Sequence, residues 1–486
     1  MTEPLDYIDP EVDDPEGGAG LPSAVLAAHA APVPSKRSEG RQTDRDILAL
    51  TWPVTLSMAL ASAVGVIDIA MLGRLGTNAL AAVGYAMQFF FLAQAVLMAV
   101  GVACVAMMSR AIGAGDVQRA RKSFAASLLI AVTTAAVVST LALLFPEWPM
   151  RVLGAPEEIV ALAAPYFQLT IGSSLLFAFS FTYENAFRAA KDTRTPMLIS
   201  AVVTVIKIGL NWLFIFGGFG LPPLDLVGAG LATIGSQLVA AVLFVTASRR
   251  LERGSPLRPS RGDFRDLREV GRDTLRLALP GVLERFGMNL ALMSYFFILG
   301  QYGPVTIAAY TVGVRVLSFS WIPGIGFSTA ASTLVGQALG ASDPAEAARV
   351  GWRSARLAVG VSVILGVGFA LARRPLAQLF TDDPAVVDAL DPFMLVLALS
   401  QPFLGLHFTL GGALRGAGDT VTPLFAALIG NWGFRVPLAF CVAYLLEWDV
   451  AWVWFALTFD HIARSTWMVL AFRRGRWADN LGASAF

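Results

Sequence analysis

The residue of this chain that most demands a chemical explanation is a carboxylate placed inside an apolar run. Asp68 lies in Val66-Ile-Asp-Ile-Ala-Met-Leu-Gly73, five residues before Gly73. An ionised side chain near the centre of a bilayer costs about 2.5–3.5 kcal/mol on insertion scales, so it needs a partner or a job. Five residues of helix place it about 7–8 Å below the outer end of its span. Two other polar groups reach a similar depth: Asn211 lies six residues before Gly217, and Thr233 about six residues into the run that follows. Lys207 is one turn deeper than Asn211 and on the same helical face. Three polar groups on three helices thus share one depth, and Lys207 could act as a tethered cation against Asp68, because a buried lysine changes its protonation readily. The plainer reading is an ion pair, or a snorkelling lysine, with no part in any cycle.

Other candidates follow from the remaining intramembrane polar residues. Glu284 and its neighbour Arg285 point about 100° apart on a helix and cannot face each other, so Glu284 is expected either to line a cavity or to pair with Arg315 or Arg435. Asn289, Tyr295 and Phe181 are further candidate cavity or substrate residues. Asp460 and Arg464 have the i, i+4 spacing of a self-neutralising pair, and His407 and His461 are expected as packing residues. Glu184 and Asn185 read as structural. The clusters Phe89-Phe90-Phe91, Phe177/Phe179/Phe181 and Phe296-Phe297 could contact a planar cationic compound or simply face lipid. Pro53, fifteen residues before Asp68, removes a backbone donor in the inner half of its helix and is a candidate hinge.

The elements that position these residues are set by composition. With 56% hydrophobic and 15% charged residues over 486 positions, the apolar surface exceeds what a water-soluble core can hide. Twelve apolar runs begin near Ile47, Val83, Ser123, Ile159, Pro196, Val227, Asp273, Thr306, Arg353, Asp391, Pro423 and Trp452. Each is long enough to cross a hydrocarbon core of about 30 Å. Cys104 and Cys441 both fall inside such runs, which speaks against disulfides. Residues 1–46 are acidic at the start, rich in Pro, Gly and Ala, and without periodicity: a disordered cytosolic tail is expected, without a cleaved signal peptide. Lys and Arg alternate between connecting segments. The segment Arg249 to Arg272 carries eight arginines and Arg473, Arg474 and Arg476 fall on the same side, so both termini are expected in the cytoplasm.

Shifting the chain on itself by 227 residues superposes Pro53 on Pro280, Gly73 on Gly300, Gly113-Ala114 on Gly340-Ala341 and Asp116 on Asp343. Ala186-Phe-Arg-Ala-Ala-Lys-Asp-Thr-Arg-Thr-Pro196 falls on Ala413-Leu-Arg-Gly-Ala-Gly-Asp-Thr-Val-Thr-Pro423 without a gap. An offset of six crossings keeps both halves in one orientation, related by an axis along the membrane normal, with a cavity where they meet. The expected fold is therefore an all-α polytopic membrane protein with twelve transmembrane helices in two six-helix lobes related by pseudo-twofold symmetry. The divisions are a tail (1–46), an N-lobe (47–250), a basic cytoplasmic linker (251–272), a C-lobe (273–472) and a second tail (473–486). In the repeated motif, Arg188 and Asp192, like Arg415 and Asp419, are expected to pair across a cytoplasmic turn, with Asp and Thr capping the next helix ahead of Pro196 or Pro423.

Trp52-Pro53 through Asp68 to Gly73-Arg-Leu-Gly76, then Ala79-Leu-Ala-Ala82, resembles the first helix and loop of MATE (multidrug and toxic compound extrusion) proteins. Leu279-Pro280, Gly300-Gln-Tyr-Gly303, Gly336-Gln-Ala-Leu-Gly340 and Asn431-Trp432 through Arg435-Val-Pro437 match in the second half, and the likeness over residues 47–477 is nearest the DNA-damage-inducible protein F branch. The resemblance implies proton or sodium binding at Asp68, Asn211 and Thr233, while Lys207 departs from a position that is usually Asn. It implies a secondary antiporter of the bacterial inner membrane that exports cationic or amphipathic compounds in exchange for H+ or Na+ by alternating access, as a monomer without a cofactor. A flippase or exporter of a lipid-linked or polyanionic substrate is the alternative. An integral-membrane enzyme lacks support, since there is no His-Glu-x-x-His and no Gly-x-Ser-x-Gly, and no lysine follows glycine as a phosphate-binding loop requires. Nothing points to nucleic acid. At the 227-residue offset Asp68 becomes Tyr295, Lys207 becomes Phe434 and Asn211 becomes Leu438, so ion coupling is expected in the N-terminal half alone.

Overall fold

The computed structural model describes residues 36–479, and every apolar run in them is helical. The first six spans are α1 Lys36–Gly73, α2 Thr77–Gly113, α3 Val117–Leu144, α4 Glu157–Ala189, α5 Arg194–Phe216 and α6 Asp225–Arg250. The second six are α7 Arg268–Leu299, α8 Pro304–Gly340, α9 Pro344–Leu371, α10 Pro384–Gly416, α11 Val421–Leu445 and α12 Val450–Arg474. Eleven of these are long and apolar enough to cross a bilayer. The other, α12, has the length but carries Asp460, His461 and Arg464 across its middle.

Of the expected tail, residues 1–35 lie outside the described residues, while residues 36–46 are already helical as the start of α1. The basic linker is folded as well. Arg121 donates from Nε to the Ser255 carbonyl (3.0 Å), Ser248 Oγ donates to the Leu257 carbonyl (2.6 Å), and Leu257 packs into an N-lobe core with Phe124, Phe187 and Phe244. Residues 480–486 of the second tail also lie outside the described residues, and what is described of it turns back as a short helix, with Trp477 stacked on Phe472 at 4.7 Å.

The repeat is visible in local geometry. Gly76 and Gly303 open the second helix of each lobe with φ of 104° and 86°, a backbone state that glycine alone adopts without strain. Asp192 accepts from the Thr195 amide (2.9 Å) and hydroxyl (2.6 Å), and Asp419 accepts from Thr422 at the same two distances. The aspartates are thus caps, as expected. The arginines of the motif do not pair with them, because capping uses both carboxylate oxygens. Arg188 instead bonds Glu184 one turn back, and Arg415 bonds Glu284 on α7 with 2.8 Å to each oxygen.

The pseudo-twofold axis can be located by residue. A Cβ on Gly113 would stand 2.0 Å from the Gln337 carbonyl, a Cβ on Gly340 would stand 2.0 Å from the Arg110 carbonyl, and one on Gly336 would meet Ser109 Oγ at 2.2 Å. Under the 227-residue shift the first two contacts map onto each other, and in the third the two partners, Ser109 and Gly336, do. The axis therefore passes through the crossing of α2 and α8 at their C-terminal ends, where backbone rests on backbone. Side chains seal the same level: Thr333 Oγ1 donates to the Arg188 carbonyl (3.2 Å) and Gln337 Nε2 to the Ala189 carbonyl (2.8 Å). Higher up, Gly281 of α7 approaches Ala99 of α2, and Gly326 of α8 approaches Thr51 and Thr55 of α1. The outer cores draw on one lobe each, around Leu72, Tyr166 and Ile215 in one and Tyr295, Phe393 and Trp454 in the other. The lobes thus meet closely at the end of the spans near Gly113 and Gly340, and at the opposite end each keeps a core of its own.

Candidate functional site

Asp68 and Lys207 meet as the depth argument predicts, with Lys207 Nζ 2.8 Å from Asp68 Oδ2. Asn211 Nδ2 donates to the other carboxylate oxygen, Oδ1. Asn211 is buried, whereas the Asp68 and Lys207 side chains keep 23% and 18% exposure, so the pair is reachable without being solvated. Thr233, expected as a third ligand, does not join them: its hydroxyl donates to the Ala229 carbonyl of its own helix at 3.0 Å. A threonine hydroxyl in a helix can always reach the carbonyl one turn back, and here that local bond wins. No group of three or more His, Cys, Asp or Glu residues that could hold a metal ion occurs among the described residues.

Pro53 is buried within a continuous α1, where its carbonyl accepts from Ser57 Oγ (2.9 Å). Phe181 is half-buried, stacked on Phe177 at 5.3 Å and lying under Gly101 of α2, where a Cβ would meet its ring at 2.6 Å. Asn289 is exposed on α7. Tyr295 is not a cavity residue. It is wholly buried, with its hydroxyl donating to the Val453 carbonyl (3.0 Å), because the C-lobe uses it to close its outer core. Glu284 finds neither Arg315 nor Arg435 but the Arg415 described above.

The C-lobe also contains an assembly that spacing revealed only in part. Asp460, 0% exposed, accepts from Arg464 through both oxygens, as the i, i+4 spacing predicts. A second guanidinium, Arg435 of α11, comes within 3.9 Å of the same carboxylate, donates to Tyr310 Oη (3.2 Å) and lies 4.6 Å over the Tyr295 ring. Arg435 ends a π-helical turn, Ile429–Arg435, that tightens Gly430 against Asp460 and Arg464. The two histidines are not separate packing residues: His407 and His461 stack at 5.3 Å with 18° between their planes. The signal missed in the sequence was the wide turn of α11, since π-helical segments leave no period to read and often mark functional positions.

One family, MatE, matches the chain twice, over residues 53–213 and 280–441, the two starts being 227 residues apart. Similar curated proteins include a probable multidrug resistance protein NorM of Thermotoga maritima, 29% identical over 449 residues that cover 91% of this chain and 94% of the relative. Another NorM, from Brucella suis, is 28% identical over 449 residues, covering 89% and 92%. Among solved structures, the Vibrio cholerae MATE transporter VcmN in its bent form superposes with a TM-score of 0.84 at 21% identity, covering 91% of this chain and 99% of that one. An outward-facing multidrug resistance MATE transporter of the MOP superfamily superposes with a TM-score of 0.82 at 22% identity, covering 90% and 96%.

Proposed function

The chain belongs to the MATE family, a family of membrane transporters and not of enzymes, and from that premise we propose a proton-driven efflux antiporter whose coupling site is Asp68. The observation that carries this reading is the composition of the Asp68 shell. Both carboxylate oxygens face N–H donors, the ammonium of Lys207 and the amide of Asn211. A sodium ion would need oxygens turned inward in their place, whereas a proton needs only the carboxylate.

Coupling follows from charge balance. A proton arriving from the outer water neutralises Asp68 and leaves Lys207 in a low dielectric without its counter-ion. The uncompensated ammonium is costly in this partly buried site, so the protonated N-lobe favours a rearrangement that the ionised lobe resists. Passage through the alternate, inward-facing state then returns the proton to the cytoplasm while cargo leaves. Both termini and the basic linker are assigned to the cytoplasm by the arginine bias, and the transporter works as a monomer in the bacterial inner membrane without a cofactor.

The cargo expected from sequence is cationic or amphipathic. Its amphipathic character is supported by exposed aromatic side chains on the central helices, such as Phe91 and Phe319. A lipid-linked polyanion would need a cavity lined by several cations.

The test is transport of an amphipathic dye in proteoliposomes under separately imposed proton and sodium gradients, with wild type beside Asp68→Asn. The expected result is proton-driven transport in wild type and loss of the gradient response in the variant. Gradient-driven transport unchanged in Asp68→Asn would remove Asp68 from the mechanism.

A further inference from the structure

The crossing of α2 and α8 is flanked by two chambers, at the end of the spans that the arginine bias assigns to the cytoplasm. The first, of about 230 Å³, is walled by Arg110 of α2, Asp116 ahead of α3, Arg119 and Ser123 of α3, Gly340 of α8 and Gly418 after α10. The second, of about 340 Å³, is its twin. Under the 227-residue shift Arg110, Arg119, Ser123, Gly340 and Gly418 fall on Gln337, Glu346, Val350, Gly113 and Lys191, and all five of these line the second chamber.

The twins differ in charge. Two guanidinia and one carboxylate line the first, whereas Lys191, Asp46 and Glu346 give the second one cation and two carboxylates. The twin joins the same elements with Gln, Glu and Val, so the fold does not require Arg110, Arg119 and Ser123 for its own sake. Arg110 and Arg119 lie near enough to repel each other, and an anion between them removes that cost. Asp116 is partly engaged, since its Oδ1 accepts from the Arg119 amide (2.8 Å) as the cap of α3. Asp273 of α7 stands near Glu269 and three arginines, Arg119, Arg272 and Arg276, so cations outnumber carboxylates around the chamber as well. Ser123 is the independent sign of a ligand. It is 1% exposed, and its hydroxyl, in the chamber wall, has no hydrogen-bond partner among the described residues. A buried hydroxyl left unmet is costly and calls for a partner.

We propose that the first chamber binds an anionic phosphate group between Arg110, Arg119 and Ser123, and that the bound phosphate holds the two lobes together at this end. Guanidinia take phosphate oxygens through paired charge-assisted hydrogen bonds, and the Ser123 hydroxyl donates one more. The walls come from both lobes, α2 and α3 from one, α8 and the segment after α10 from the other. The site is therefore complete only while Gly340 rests on the Arg110 carbonyl, and a ligand that binds one arrangement favours it. The chamber is smaller than the roughly 300–1,000 Å³ that drug-sized molecules occupy, so its ligand is a regulator and not the cargo. The inference draws nothing from the role of Asp68. A phospholipid headgroup and a soluble phosphate share the required chemistry.

The experiment uses the full-length chain in nanodiscs, with Cys104→Ala and Cys441→Ala as background and Ser109→Cys beside the crossing as reporter. The rate of its modification by an uncharged maleimide reads the opening of α2 from α8. In one arm inorganic phosphate is added to discs of phosphatidylcholine, against potassium chloride of equal ionic strength. In the other, part of the lipid is replaced by phosphatidylglycerol in phosphate-free buffer. Modification is expected to slow about tenfold, and the arm that responds names the source of the phosphate. Arg119→Glu and Ser123→Val carry the twin's residues, and Arg119 is exposed, so folding is retained. Arg119→Glu abolishes the slowing, Ser123→Val weakens it, and Arg119→Lys keeps part of it. No slowing in either arm, equal slowing by chloride, or slowing that persists in Arg119→Glu overturns the proposal.

Discussion

Gly340 meets the carbonyl oxygen of Arg110 so closely that a Cβ built on it would stand 2.0 Å away. The contact is backbone on backbone, so neither side can yield by turning a rotamer. It stands beside the pseudo-twofold axis, and the contacts that join the lobes at this level are built around it.

Gly340→Val should therefore force α2 and α8 apart at this level. A cysteine introduced at Ser109 in a cysteine-free background is expected to become about tenfold more reactive toward a reagent added from the cytoplasmic side, a population shift of roughly 1.4 kcal/mol. Unchanged reactivity, with the variant folded, would mean that the crossing is not the seal.

Lys207→Asn replaces the ammonium at Asp68 by an amide and opens room beside the carboxylate. Dye transport in proteoliposomes is expected to lose most of its proton response and to gain a sodium response. Full proton-driven transport without any sodium effect would return Lys207 to a packing role.

Asp460→Asn leaves Arg464 and Arg435 facing each other inside the C-lobe without a counter-charge. The expected loss is about 3–5 kcal/mol of stability, read as a lowered Tm in detergent. Asp460→Asn combined with Arg464→Met should recover part of it, and an equally unstable double variant would contradict the charge argument.

Glu284→Gln strands Arg415 in the same way, across the α7–α10 contact. Its cost should be larger than that of the double replacement Glu284→Met with Arg415→Met, because a buried pair replaced as a whole by apolar side chains is often neutral. Thermal unfolding of the three proteins decides the order.

The fold was legible because lipid leaves few choices: apolar length sets the spans and a gap-free repeat sets the lobes. The Asp68–Lys207 pair was legible for the same reason, since depth in a helix can be counted from its end. Partners brought together by packing were not. Arg415 reaches Glu284 across 131 positions, where adjacency had suggested Asp419. Thr233 has the right depth but spends its hydroxyl on its own helix, a choice that depth cannot reveal. Glu284 is taken by Arg415, so the pairing with Arg315 that the sequence allows is not made.

Arg188 and Arg415 are the same residue of the ancestral half, yet one is satisfied within its own helix and the other fastens two helices together. With Asp460 clamped by Arg464 and approached by Arg435, the later half is cross-braced along its depth, while the earlier half keeps its exchangeable charge at a joint between α1 and α5. Duplication has thus produced a compliant arm and a stiff one. On the proposed coupling at Asp68, protonation would act on the first, and the second would serve as the lever that turns a local change of charge into a swing of the whole gate.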